Sequence, residues 1–192
     1  MCRRLILALW IGLAACSPAL DWRESRQPEL GFTVALPGKP LVATREIPFD
    51  GATLPMTMVS AGHEGTLFAV GVARLPAAAI ADVQQTTRRF AESLRRNVHG
   101  AEAPIGGLTA VPALTKGFEA SRALRADTPL SARGDAGSGG TPGAKPRAVH
   151  LYARLVVVDD RLYQVVALGS AEQLTAQALD TFFQSFRLLP PS

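Results

Sequence analysis

Residues 147–168, RAVHLYARLVVVDDRLYQVVAL, read as a β-hairpin, and that reading restricts what the rest of the chain can be. Val149, Leu151, Ala153, Leu155 and Val157 alternate with His150, Tyr152, Arg154, Val156 and Val158. A period of two sends one apolar row to one face of a sheet. Asp159, Asp160 and Arg161 interrupt the run, and an extended, β-branched pattern resumes at 162–168. A lone hairpin is marginal in water, so other strands and helices must cover it.

The preceding chain supplies them. Residues 30–36 alternate as a first strand, with Phe32, Val34 and Leu36 on one face. Pro37, Gly38, Lys39 and Pro40 make a turn by composition. A second strand runs over 41–47, followed by Pro48 and the hairpin dipeptide Asp50-Gly51. A third covers 53–60, where Pro55 implies an edge or a bulge, and a fourth covers 66–73. Residues 78–98 then carry Val83, Thr87, Phe90, Leu94 and Val98 at helical spacing. Asp82 suits the N-cap, unless the alanine run before it starts the helix earlier, and Gly100 suits the C-terminal cap. Residues 105–109 suggest a turn or short strand, and 113–124 a further strand. Residues 127–146 are rich in Gly, Pro, Ser and Ala and read as a disordered loop. Ser170 and Gln173 fit a capping box before a helix over 171–186. Strands, helix, strands, helix predict an α+β fold: an antiparallel β-sheet covered by two main helices.

The N-terminus reads as an address. Arg3 and Arg4 precede the apolar run LILALWIGL at 5–13, which is the length of a signal peptide and too short for a bilayer span of about 20 residues. The sequence Leu13-Ala14-Ala15-Cys16 follows and resembles a bacterial lipobox. The resemblance implies cleavage between Ala15 and Cys16 and diacylation of the Cys16 thiol, giving a lipid-anchored protein in the bacterial cell envelope that faces the periplasm. Ser17, rather than aspartate, after the cysteine favours the outer membrane by resemblance to the enterobacterial sorting pattern. The alternative is an ordinary secretory signal cut near Ser17 or Pro18. Residues 16–28 then read as lipidated cysteine and tether, with Trp22 docked on the domain or placed at the membrane interface, and 29–190 as a single domain.

Charge and cysteine usage agree with that address. Of 20 basic residues, removal of Arg3 and Arg4 leaves 18 against 16 acidic ones, scattered without a basic stripe. No nucleic-acid footprint is expected. Only Cys2 and Cys16 are present, so a processed chain holds one cysteine and no internal disulfide.

Four segments, GFTVALPGKP, the helix after the fourth strand, DDRLYQV and FFQSFRL, together resemble the PsbP-like α/β sandwich found in uncharacterised bacterial envelope proteins. The resemblance implies a fold and carries no chemistry, because the members of that family do unrelated things.

Sites for chemistry are sparse. The segment GDAGSGGTPGAK lacks the Gly-Lys-Ser/Thr ending of a phosphate loop, and Ser138 lies in AGSGG rather than G-x-S-x-G. His63, His99 and His150 have no second ligand at metal spacing, so no metal and no cofactor are expected. Asp159 and Asp160 read as turn residues. The helix at 78–98 is locally basic through Arg88, Arg89, Arg95 and Arg96. Arg88, Arg95 and Arg96, with Tyr152, Arg154 and Tyr163 on the hairpin, form the candidate interaction surface. The expectation is a non-enzymatic envelope lipoprotein that binds a protein or assists assembly of an envelope complex. The alternatives are a small-ligand or lipid-binding periplasmic domain and, less favoured, an unrecognised hydrolase.

Overall fold

The computed structural model describes residues 20–99, 101–102, 112–116, 118, 120, 122–136 and 147–190. The signal segment with Ala15 and Cys16, Gly100, the expected turn or strand at 105–109, and residues 137–146 with Ser138 lie outside the described residues. In chain order the strands are β1 (Trp22–Gln27), β2 (Phe32–Pro37), β3 (Leu41–Phe49), β4 (Ala52–His63), β5 (Thr66–Arg74), β6 (Ala101–Glu102), β7 (Leu124–Ala136), β8 (Arg147–Val158), β9 (Arg161–Gly169) and β10 (Arg187–Leu188). The helices are α1 (Ala77–Ala81), α2 (Val83–Asn97), α3 (Pro112–Thr115) and α4 (Ala176–Ser185).

The hairpin predicted over 147–168 forms as β8 and β9, turned by Asp159 at φ 54°. It sits near the middle of a large antiparallel sheet of order β3-β4-β5-β9-β8-β7-β6, in which β6 contributes only two residues. A second, three-stranded sheet has the order β1-β2-β10. The period of two sorts the large sheet's side chains onto two faces. Val59, Phe68, Val70, Val156, Val158, Tyr163 and Val165 point to one face, where Phe32, Val34 and Leu36 of the small sheet and Leu179, Phe182 and Phe183 of α4 cover them. Leu151, Ala153, Leu155, Val157 and Leu162 point to the other, where Phe90, Ala91 and Leu94 of α2 cover them. Residues Leu155 to Val158 are therefore buried on both faces, which explains why the alternation in β8 gives way there to a continuous apolar run.

The aromatic side chains are concentrated between the two sheets. Trp22 meets Phe68 edge-on at 5.3 Å, and Phe68 meets Phe182 at 5.1 Å. Tyr163 is fully buried beside Phe32 and Phe186, and its hydroxyl donates to the Leu30 carbonyl at 3.2 Å.

The expected α+β layout, one antiparallel sheet covered by two main helices as a PsbP-like sandwich, is not what the chain forms. Of the described residues, strands take 53% and helices 23%, in two sheets with four short helices. One face of the large sheet is covered chiefly by a second sheet, because residues 22–27, taken above as tether, pair with β2 as β1. Their polarity hid them: Glu24, Arg23 and Arg26 face outward from an edge strand.

Other elements differ in detail. The helix expected over 78–98 is split at Asp82, whose carboxylate accepts from the Gln85 N–H at 2.9 Å and begins α2 anew. Ser170 and Gln173 do bond each other, at 2.9 Å, but they close a turn. The helix starts only at Thr175, whose hydroxyl caps the Ala178 N–H at 3.1 Å. In place of the strand expected over 113–124, the described residues form α3, irregular positions and the start of β7 at Leu124, and β7 continues to Ala136 through half of the segment read as loop. A cross-strand partner as apolar as β8 outweighs the weak local propensity of β7.

Pro55 and Pro48 occupy positions that a sheet tolerates. Pairing of β4 with β5 begins only at Met56↔Ala73, so the missing N–H of Pro55 faces no strand. Asp50 (φ 52°) and Gly51 (φ 80°) form a two-residue turn closing on Phe49↔Ala52. Alternation from that pair turns the backbone of Val42, Thr44, Glu46 and Pro48 outward along the free edge of β3, where proline costs no ladder bond.

Candidate functional site

Among the described residues a concavity lies between the β3–β4 hairpin and α2, with a volume of about 740 Å³. Its position follows from the hairpin turn. Asp50-Gly51 folds the tip of β3 so that Phe49 stacks on Phe90 of α2, with centroids 5.3 Å apart and planes 18° from parallel. Arg89, one residue before Phe90, pairs with Asp50 and locks the tip to the helix. Beyond that contact the two elements diverge and leave the groove.

Its floor is apolar and adaptable. Met56 and Met58 come from β4, Leu94 and Phe90 from α2, and Ile47 from β3. Both thioethers lie over Gly71 of β5: a Cβ there would stand 2.6 Å from Met58 Sδ and 2.8 Å from Met56 Sδ. The absent side chain at Gly71 leaves the space that the two thioethers occupy. Gln164, paired with Gly71 across the sheet, adds an amide to the floor and makes no hydrogen bond with the described residues. The rim is charged. Arg96 stands 4.0 Å from Glu92 one turn away, and Arg45 on β3 makes no ion pair among the described residues. An apolar floor of flexible methionines inside a rim of arginines suits an apolar segment that carries an acidic group.

A second polar cluster is structural. Arg154 is 7% exposed, and its guanidinium holds the Asp127 carboxylate through two bonds, 2.8 and 2.6 Å long. It also donates to the carbonyls of Ala113 (2.9 Å) and Lys116 (2.8 Å) and lies over the Phe118 ring at 5.3 Å. Asp127 accepts in turn from the Phe118 N–H at 2.8 Å, and Asp180 of α4 accepts from the Ala113 N–H at 3.1 Å. The cluster fastens α3 and the chain after it onto β7, β8 and α4.

The residues expected to form an interaction surface are thus dispersed. Arg154 and Tyr163 are inside the protein, and Tyr152 is half-buried beside His150. Arg88 and Arg96 are exposed and Arg95 partly so, but only Arg96 of the three lines the groove. Arg45, Phe49, Met56 and Met58 were not singled out in the sequence. The Asp50-Gly51 turn was the available signal, but no local pattern states which helix its tip will meet. Asp159 and Asp160 are turn residues held by Arg122 (2.7 Å) and Arg74 (2.8 Å).

Among the described residues no cluster of three or more His, Cys, Asp or Glu is arranged to hold a metal, and no helix is long and apolar enough to cross a membrane. Comparison of the chain with protein-family models, with curated proteins and with solved structures finds no match.

Proposed function

We propose that this chain is a membrane-anchored, non-enzymatic lipoprotein of the bacterial envelope whose domain binds a partner protein in the groove between the β3–β4 hairpin and α2. The supporting observation is the groove's composition: partly exposed Ile47, Phe49 and Met58 over buried Met56, Phe90 and Leu94, inside a rim of Arg45, Arg89 and Arg96. Protein interfaces share this layout, with apolar, methionine- and arginine-rich centres inside a polar rim. The rim carboxylates Asp50 and Glu92 are already engaged by Arg89 and Arg96, which leaves Arg45 to meet an acidic group on the partner. Cys16 supplies the anchor through its resemblance to a lipobox cysteine, on the periplasmic side of the outer membrane.

A photoreactive residue in place of Ser93, on the groove wall, tests this in cells. One reproducible envelope protein captured from position 93, lost on Arg45→Glu and not captured from Gln184 on α4, supports the reading. Equal adducts from both positions contradict it. A second reading, a small amphipathic ligand, is favoured by the volume of about 740 Å³, which falls within the range of small-molecule sites. Native mass spectrometry of protein released gently from membranes distinguishes it by a bound mass of a few hundred daltons.

A further inference from the structure

We infer that the end of the molecule bearing Leu41, Val42 and Leu67 rests in the headgroup–acyl boundary of the membrane that holds Cys16; the inference rests on the lipid-anchor reading above. Three observations carry it. First, the described chain begins at this end. Trp22 pairs with Pro37, and the Gly38 N–H donates to the Asp21 carbonyl at 2.9 Å, so residue 20 lies beside the turn that leads into β3. Cys16 is four residues before Leu20, a reach of at most about 14 Å fully extended. The anchor therefore cannot stand far from this end.

Second, exposed apolar side chains gather here. Of the four large ones among the described residues, Leu41 (68%), Val42 (52%) and Leu67 (39%) are at this end, and Leu124 (41%) lies elsewhere. The register Leu41↔Ser60, Ser60↔Ala69 and Leu67↔Gly62 puts Leu67 two residues beyond the level of Leu41, toward the β4–β5 turn. Leu41 and Val42 are consecutive in a strand and point to opposite faces, so no single protein layer could cover both. A lipid phase around the tip covers both.

Third, the surrounding charges suit an interface. Arg23 is paired with Asp21 at 2.5 Å, and His63 lies 3.8 Å from Glu64. Lys39 remains without an ion pair among the described residues, available to a phosphate headgroup. Trp22 does not serve as the interfacial residue, because its ring is packed against Phe68. The orientation has a consequence for the groove. Its Phe49 end is eight residues or about 26 Å along β3 from Leu41, while Met58, paired with Ala43, brings its other end within two residues of Leu41, so the groove runs from the bilayer side toward the distal tip.

The test uses full-length protein, processed in the cell and reconstituted in phosphatidylethanolamine–phosphatidylglycerol vesicles. With Cys2 removed and Cys16 acylated, a cysteine introduced by Val42→Cys or Ala52→Cys is the single site for an environment-sensitive fluorophore. The inference predicts a blue-shifted emission at position 42 that brominated acyl chains quench at least twofold, with water-like, unquenched emission at position 52. A probe introduced by Leu67→Cys loses its quenching when Leu41→Gln and Val42→Gln are combined, while the protein still floats with the vesicles. Water-like emission at position 42 on protein whose mass shows acylation overturns the inference and leaves the anchor standing. Protein that carries no acyl mass and does not float overturns both.

Discussion

The buried Arg154–Asp127 pair gives the sharpest energetic prediction. Arg154→Met keeps much of the side-chain volume and removes the guanidinium. The Ala113 and Lys116 carbonyls then lose their donors, and the Asp127 carboxylate, whose side chain is 16% exposed, keeps only the Phe118 N–H. Breaking a buried pair from one side costs about 3–5 kcal/mol, because the remaining charge is left uncompensated. For a domain of this size that corresponds to a fall of roughly 6–20 °C in Tm. Asp127→Leu strands Arg154 instead and loses a similar amount. The double variant leaves no buried charge, so it is no less stable than either single variant, with a coupling of about 2 kcal/mol or more. Urea unfolding followed through the emission of Trp22, which reports on the contact with Phe68, measures all four corners of the cycle. Losses that add to within about 0.5 kcal/mol, or a loss below about 1 kcal/mol for Arg154→Met, would refute the assignment of this cluster as the fastener of α3.

Three further substitutions probe other parts of the account. Asp82→Ala removes the cap of α2 and lowers stability by about 1 kcal/mol in the same unfolding assay. Gly71→Ala drives a methyl against both methionine thioethers, which swing aside at a cost of about 1 kcal/mol, and weakens capture from position 93 because the floor must rise into the groove. Burial, with the nearby Arg133, lowers the pKa of His150 from its ordinary 6.5. The unfolded chain therefore takes up a proton that the folded one resists, and stability is lost as pH falls below about 6.5. Thermal melts at pH 7 and pH 5 should show a smaller acid-induced drop for His150→Gln than for the unaltered chain.

Much of the strand content was legible because burial leaves a period of two, and two-sided burial leaves a continuous run. That is why β2, β5, β8 and β9 stand where the pattern put them. What escaped was set by partners distant in sequence. β1 is polar on its outer face and gains its place from β2, while β7 contains Pro129 and Gly134 and is drawn into the sheet by β8. Arg154 looked like a surface arginine because its alternation matched the polar row. Only the arrival of α3, Asp127 and Phe118 over that face converts it to an interior group. The groove was invisible for the same reason: Met56 and Met58 are 30 or more residues from Phe90 and Leu94 in sequence. The Asp50-Gly51 turn fixes the hairpin but not the helix that it meets.

Anchoring and the orientation on the bilayer both depend on Cys16. Intact-protein mass spectrometry of the chain purified from membranes tests it most directly. The account predicts a polypeptide beginning at Cys16 with the added mass of two or three acyl chains, and loss of both the acyl mass and the membrane association in Cys16→Ser. A chain without acyl mass, cut near Ser17 or Pro18 and recovered in the soluble fraction, would contradict it.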